Sequence, residues 1–289
     1  MEGHSEIAHK ELRLPISAIV LTYNEEKNIC ACLESVLGWV EEIFIVDSYS
    51  TDETLEIARK YTDKVYQHAF ENYSNQRNWA LEHLPIKTEW VLNLDADHRV
   101  TEELRNELLE VFSKEVPQDI KGMLASRRTI FMGRQISHGG HYPVYHAVLF
   151  RYNFGFCEKR LYDQHFCIEG KALKCNGDII DVIGDSLNKF VERHNKWATL
   201  EAVEQLKEMR LQDGFVQANA FGNPIEKRRF LRNTYNSFPL FIRPFLYFIY
   251  RYFFRFGFLD GKEGLIFHFL QGFWFRFLVD AKIYEIMKY

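Results

Sequence analysis

The sequence predicts an α/β domain built on a mainly parallel central sheet and followed by an amphipathic helical appendage. Three observations predict it. Residues 14–100 alternate short apolar runs with segments of helical periodicity, the pattern of strands joined by crossover helices. The apolar run Trp90-Val91-Leu92-Asn93-Leu94 ends abruptly in Asp95-Ala96-Asp97, and ligands of open α/β sheets bind just beyond the carboxyl ends of such strands. Past residue 220 the composition turns aromatic and basic. With 289 residues, 47% of them hydrophobic, the chain can bury a substantial core as one large domain, or one domain with an appendage.

Taken in order, Ile16–Leu21 reads as a short buried strand, Glu26–Leu37 as a helix and Glu42–Val46 as a second strand. Ser50-Thr51-Asp52-Glu53 leads into a helix over Thr54–Tyr61, and a strand at Lys64–Tyr66 and a helix near Ser74–Glu82 precede the strand that ends at Asp95. Thr101-Glu102-Glu103-Leu104 is a helix start, with Thr101 as N-cap and acids in the first turn. Right-handed crossovers gather the carboxyl ends of these strands on one edge, bringing together Thr22-Tyr23-Asn24-Glu25, Asp47-Ser48 and Asp95-Ala96-Asp97. Two carboxylates one residue apart can turn toward one hard cation, and Mg²⁺ or Mn²⁺ held this way completes its shell with phosphate oxygens and water. As a plain helix-capping loop the same residues need no metal.

Other nucleotide-binding classes fit poorly. No Gly-x-Gly-x-x-Gly follows the first strand and no Gly-x-x-x-x-Gly-Lys-Ser/Thr is present. His138, His141, His146 and His165 match no common zinc spacing. The five cysteines are odd in number and form no Cys-x-x-Cys pair. With no apolar segment before Leu14, they suggest reduced thiols on a cytoplasmic protein.

The runs Ile19-Val20-Leu21-Thr22-Tyr23-Asn24-Glu25-Glu26, Ile45-Val46-Asp47-Ser48 with Ser50-Thr51-Asp52-Glu53, Asn75-Gln76-Arg77-Asn78, and Leu94-Asp95-Ala96-Asp97 together resemble glycosyltransferase family 2. That family has the GT-A fold, Rossmann-like with a mainly parallel sheet, and uses nucleotide-diphosphate sugars. His138-Gly139-Gly140-His141-Tyr142-Pro143, followed by Leu149-Phe150-Arg151, is similar to the bacterial subgroup that builds lipopolysaccharide core and related surface glycans. The resemblance implies a catalytic domain over residues 1–220, with a nucleotide-sugar half near 14–100 and an acceptor half near 101–220. It further implies that Tyr23 stacks on the base, Asp47 bonds base or ribose, and Arg77 reaches the nucleotide. Asp97 becomes the main metal ligand and Asp95 lies nearer the ribose or a metal-bound water. Thr22, Asn24, Glu25 and His138 complete the donor-binding set, and the cofactor is Mn²⁺ or Mg²⁺.

An inverting transferase also needs a carboxylate to take the acceptor's proton. Relatives in the lipopolysaccharide-core subgroup tend to carry Val-His-Glu where this chain reads Tyr162-Asp163-Gln164, and glutamine cannot accept a proton. Asp163 is the nearest carboxylate and is assigned the base, with Glu158 and Glu169 as rivals. Asp181 stands where relatives often have a histidine, and its role is open.

Ile183–Leu211 reads as a long amphipathic helix, begun near Asp185 or Ser186 and ended near Gly214. The segment 221–289 reads as a membrane-associating tail. From Lys227 onward there are 11 Lys/Arg and 4 Asp/Glu, a net of +7 that leaves −11 on residues 1–226. Phe238–Phe258 holds 11 Phe or Tyr in 21 residues, interrupted by Arg243, Arg251 and Arg255, and a second apolar stretch covers Leu265–Leu278. Charge-free runs here fall far short of the ~20 residues needed to span a bilayer, so arginine–headgroup contacts and interfacial rings are expected instead, with packing on the body or an oligomer interface as the alternative. The embedded arginines lack any nucleic-acid-binding signature. The resulting expectation is a cytoplasmic transferase, peripheral on the inner face of the membrane, acting on a lipid-linked or lipopolysaccharide-type glycan. A sugar-phosphate nucleotidyltransferase and a noncatalytic glycan-binding scaffold are the competing classes.

Overall fold

The structure, a computed structural model, describes residues 13–183, 186–211, 218–222 and 224–289. Asp185 and Gly214, proposed as helix boundaries, lie outside the described residues. The first half follows the expected alternation: β1 (Leu14–Thr22), α1 (Ile29–Val36), β2 (Val40–Asp47), α2 (Thr54–Ala58), β3 (Val65–Gln67), α3 (Tyr73–His83), β4 (Trp90–Asp95), β5 (His98–Val100) and α4 (Glu102–Phe112). Thr101 caps α4 as predicted, its hydroxyl accepting from Leu104 N at 3.2 Å with Glu102 and Glu103 in the first turn. Asn72 caps α3 through Asn75 N at 2.8 Å.

Then follow β6 (Ile120–Phe131), β7 (Arg134–Gln135), β8 (Tyr145–Arg151), β9 (Gly155–Cys157), β10 (Phe166–Ile168) and the long β11 (Lys171–Ile183). The main sheet runs β3-β2-β1-β4-β8-β6-β11-β5, with β7 paired to β6. Its first four strands are parallel, β8 is antiparallel to both β4 and β6, and β11 is parallel to β6. The sheet is thus mixed, and parallel through β3, β2, β1 and β4. β1 and β4 are buried along nearly all their length because helices cover both faces. Register pairs Thr22 with Asp47 and Leu21 with Asp95, so the predicted edge forms.

The remainder is helical: α5 (Leu187–Leu211), α6 (Pro224–Asn236), α7 (Ile242–Ile249) continuing as a π turn over Tyr250–Phe254, a 3₁₀ turn (Gly257–Asp260), α8 (Gly261–Phe267), a π stretch (His268–Trp274) and α9 (Phe275–Lys288). No helix among the described residues is long and apolar enough to cross a membrane. These helices lie against the body. Phe275, Val279 and Ile283 pack with Ala198 and Ala202 of α5, and Phe267 packs with Phe131, Ile136 and Phe190.

That packing corrects the expectation for the tail arginines. Arg243 and Arg251 are 3% and 6% exposed and do not face outward. Arg243 forms an ion pair with Asp280 and bonds Gln205 at 2.9 Å, while Arg251 donates to Gly139 O at 2.7 Å. Inside a mostly apolar layer a guanidinium must find such acceptors. Arg255 is exposed as expected.

Candidate active site

Tyr23, just past the end of β1, is 58% exposed, its ring open to solvent at the carboxyl edge. The following loop is braced from the β2–α2 turn: Asn24 N donates to Ser50 Oγ (2.9 Å), Thr51 N to Asn24 Oδ1 (2.8 Å) and Glu25 N to Thr54 Oγ1 (2.8 Å). Thr22 is buried and its Oγ1 has no partner. Asp47 is fully buried, and its oxygens accept from Ser50 N (3.0 Å), Ser50 Oγ and Gln67 Nε2 (3.1 Å). It ties down the turn beside Tyr23 and leaves no oxygen exposed.

The expectation that Arg77 reaches the nucleotide is corrected by the structure. Arg77 is 1% exposed and lies behind β4, donating to Asp95 Oδ1 (2.6 Å), Leu94 O (2.7 Å), Ile19 O (3.2 Å) and Tyr73 Oη (3.1 Å). Every arm of the guanidinium is used, so Arg77 positions Asp95 from the protein side. Burial alone would raise the Asp95 carboxyl, but Arg77, His98 and Arg127 outweigh it and hold it below its usual range.

Asp97 behaves oppositely. Burial, then the charges of Asp181, Asp95 and Glu25, push its carboxyl well above the ordinary value. Asp181 faces this point because β11 pairs it with His98 of β5 and because Val182 N bonds Asp97 O at 3.1 Å. Cations only partly offset this: the charge of Arg193 acts on Asp97, Arg99 donates to Asp97 O at 3.3 Å, and Arg127 lies 3.6 Å from Asp181. Four carboxylates on one edge repel one another, and a divalent cation among hard oxygen donors relieves that repulsion.

Asp95, Asp97 and His98 bring one ligand atom each within 4.8 Å of one another. His98 is not a free ligand, however. Its Nδ1 accepts from Asp95 N at 3.1 Å, which leaves the proton on Nε2, 3.6 Å from Asp95 and 3.9 Å from Asp97. Burial, then Arg127, brings its pKa down to about 4, so the ring is neutral and orients the carboxylates, and Asp95 and Asp97 are the residues that could offer oxygens to a cation. Sequence reasoning misses His98, although it is the next residue of the same run. Arg127, Arg193 and the facing of Asp181 give no local signal.

His138, expected at the donor, is tied to the C-terminal helices. Its backbone N and Nδ1 both bond Asp260 at 2.9 and 2.6 Å. Gly139 N donates to Arg255 O at 2.8 Å, and a Cβ on Gly139 would collide with the His268 ring. The glycine does permit close approach, but by a tail side chain. His138-Gly139-Gly140 therefore clasps the C-terminal helices.

The three carboxylates weighed as base separate cleanly. Glu169 precedes the start of β11, whose Lys171 pairs with Ile120, whereas Asp181 lies at the other end. The length of that strand puts Glu169 about 30 Å from the metal edge. Glu158 is 1% exposed and bound to Arg229 at 2.7 Å. Asp163 lies in the 158–165 loop, paired with Arg232 at 2.9 Å and Arg228 at 3.3 Å. Burial opposes its ionisation, but Arg228, His165 and Arg232 prevail and hold it far below the usual carboxylate range. It is ionised and clamped.

An open edge with an exposed aromatic ring, a turn-braced loop and a crowded carboxylate pair thus stands at the carboxyl end of a mixed α/β sheet, where ligands of such sheets bind. Residues 17–160 match the family model Glycosyl transferase family 2. The chain belongs to glycosyltransferase family 2 and is a glycosyltransferase. It is 26% identical over 282 residues to an uncharacterized glycosyltransferase of Rickettsia typhi, covering 94% of this chain and 87% of that one. A lipopolysaccharide core biosynthesis glycosyltransferase of Rhizobium meliloti, LpsC, is 35% identical over 126 residues, which is 42% of this chain and 45% of LpsC. In fold it is similar to a mannosyltransferase from Pyrobaculum calidifontis solved with GDP-mannose and Mn²⁺, with a TM-score of 0.54, 15% identity, and coverage of 94% of this chain and 87% of that one. The GT-A fold expected from the sequence is the fold found.

Proposed function

We propose that this chain is an inverting, metal-dependent transferase that moves a sugar from a nucleotide-diphosphate donor, a UDP-sugar, to a hydroxyl of a lipid-linked or lipopolysaccharide-type glycan at the inner membrane face. The observation that carries the reading is the crowding of Asp97 by Asp95, Asp181 and Glu25 beside the exposed ring of Tyr23. Asp97 and Asp95 would hold Mg²⁺ or Mn²⁺, which supplies Lewis-acid neutralisation of the leaving diphosphate. Tyr23 stacks on the base, Arg77 and His98 keep Asp95 in place, and Asp163 takes the acceptor proton. As a clamped carboxylate Asp163 is a weak base, so its task requires the hold of Arg228 and Arg232 to slacken when the acceptor enters.

The acceptor class is supported by the partial relative LpsC and by the outer face of the tail. Ile242, Phe245, Ile249, Phe253 and Phe254 follow helical spacing and are all exposed, Phe254 to 71%, with Arg255 exposed beside them. An apolar stripe with adjoining positive charge suits a bilayer interface with anionic lipid. The test is a panel of UDP-, GDP- and dTDP-sugars scored for free nucleotide with Mn²⁺, with Mg²⁺ and with chelator. Metal-dependent nucleotide release from one donor is expected. Release of pyrophosphate from a sugar phosphate and a nucleotide triphosphate, or no turnover with any donor, overturns the reading.

A further inference from the structure

A group of tail side chains has cationic donors without acceptors. Arg251 Nη2, Arg276 Nε and the Tyr235 hydroxyl are buried and lack hydrogen-bond partners. They come from the π turn after α7, from α9 and from α6, and they meet around Tyr247. The Arg276 guanidinium lies 5.6 Å from the Tyr247 ring and 5.7 Å from the Tyr235 ring, and Arg251 lies 5.4 Å from the Tyr247 ring. Arg228 is the fourth member. Its charge acts on Tyr247, and also on His141 and His146, and Tyr145–Arg151 is the strand that runs alongside β4. Arg228 also pairs with Asp163 at 3.3 Å, which links this group to the carboxylate assigned as base.

The carboxylates nearby do not balance these charges. Asp163 is shared between Arg228 and Arg232. Glu201 is held by Arg232 at 3.1 Å and lies 4.0 Å from Arg276. Among the described residues the acceptors of Arg251 are neutral, Gly139 O and the Tyr247 hydroxyl. Buried guanidiniums with spare N–H groups and too few acids are stable only beside another acceptor, and their fork geometry matches phosphate.

We propose that Arg228, Arg251 and Arg276, with Tyr235 and Tyr247, form an oxyanion site that grips a phosphate of the acceptor. This rests on the transferase reading and deepens it. The same helix that carries Tyr247 and Arg251 inward presents Phe245, Ile249 and Phe253 outward, which suits a phosphate attached to a lipid. A phosphate arriving there also competes with Asp163 for Arg228, and so frees the carboxylate when the acceptor is bound.

The test is calorimetric titration of the full chain with octyl phosphate below its micellar concentration, with inorganic phosphate and with uncharged octyl glucoside, in chelator so that the diphosphate site does not contribute. Binding of the phosphates and not of octyl glucoside is expected, and Arg276→Gln and Arg228→Gln should each weaken it at least about tenfold, the loss of one charge-assisted hydrogen bond. Tighter binding of octyl phosphate supports the site with a lipid headgroup as its source, and equal binding of both supports it with free phosphate as the source. Binding of UDP with Mg²⁺ is measured on every variant as the control for fold and donor site. The half-exposed Arg228 carries the test if Arg276→Gln does not fold, and Arg228→Lys should keep most of the affinity. No phosphate binding by the unmutated chain up to about 10 mM, or equal binding by the glutamine variants, overturns the oxyanion site while UDP binding persists. Failure of the unmutated chain to bind any nucleotide sinks the transferase reading instead.

Discussion

Replacing Arg77 by Met separates a nucleotide contact from a brace. The methionine fills the volume but leaves Asp95 Oδ1, Leu94 O, Ile19 O and the Tyr73 hydroxyl without the donor they share. The two carbonyls belong to the sheet, so the main loss is the charged pair, with Arg77 at 1% exposure and Asp95 at 28%. Breaking a buried pair by removing one partner costs about 3–5 kcal/mol, and partial hydration of Asp95 brings the expected figure to the lower end, about 3 kcal/mol. Asp95→Asn added to Arg77→Met removes the stranded charge and should restore about 1 kcal/mol or more, the signature of coupled sites. Urea unfolding of the parent, the two single variants and the double variant reads this directly, alongside UDP binding with Mg²⁺. If Arg77→Met unfolds at the same urea concentration as the parent and loses only nucleotide affinity, Arg77 reaches the ligand and the brace is wrong.

Three further outcomes follow from the same geometry. Asp97→Asn should leave the fold intact and lower transfer about 10³-fold, and chelator should do the same reversibly in the parent; full activity in chelator refutes the metal role. His194 and His268 are buried, and burial takes both down to about 4. Their folded values lie below the unfolded ~6.5, so stability is complete above pH 6.5 and is lost as pH falls toward 4, by roughly 3 kcal/mol for each ring. Because the Glu201 carboxyl is raised by burial and titrates with the opposite sign, the measurement is the difference between the parent and His194→Gln, and a pH-independent difference refutes the assignment. Ending the chain at Phe221 removes the partners of buried Glu158 and Glu201 and uncovers Ala198, Ala202 and Phe190. The truncated body should therefore unfold more easily by several kcal/mol or aggregate, and a monomeric fragment with a parental melting point would show the tail to be separable.

How much was legible in the sequence depended on the range of the interactions involved. Apart from β5, the strands and helices from β1 to α4, the Thr101 cap and the gathering of Tyr23, Asp47 and Asp95 on one edge all come from short-range pattern and crossover handedness, and they stand in the structure. The second half of the sheet is different. β11 meets β6 across about 50 residues and β8 inserts between β4 and β6, so nothing local could announce that Asp181 and Arg127 face Asp97. The tail shows the same limit more sharply. Arginines set among phenylalanines read as headgroup contacts until Asp280 is known to lie beside Arg243 and Gly139 beside Arg251. A guanidinium in an aromatic-rich segment is stable at a lipid surface and equally stable against a buried carboxylate, and the segment's own composition does not distinguish the two. What distinguishes them is the count of acceptors within reach, which Arg243 satisfies fully and which Arg251 and Arg276 do not. The outer face of the tail therefore belongs to its exposed aromatic rings, while its inward arginines divide into those that hold the helices to the body and those with donors left over.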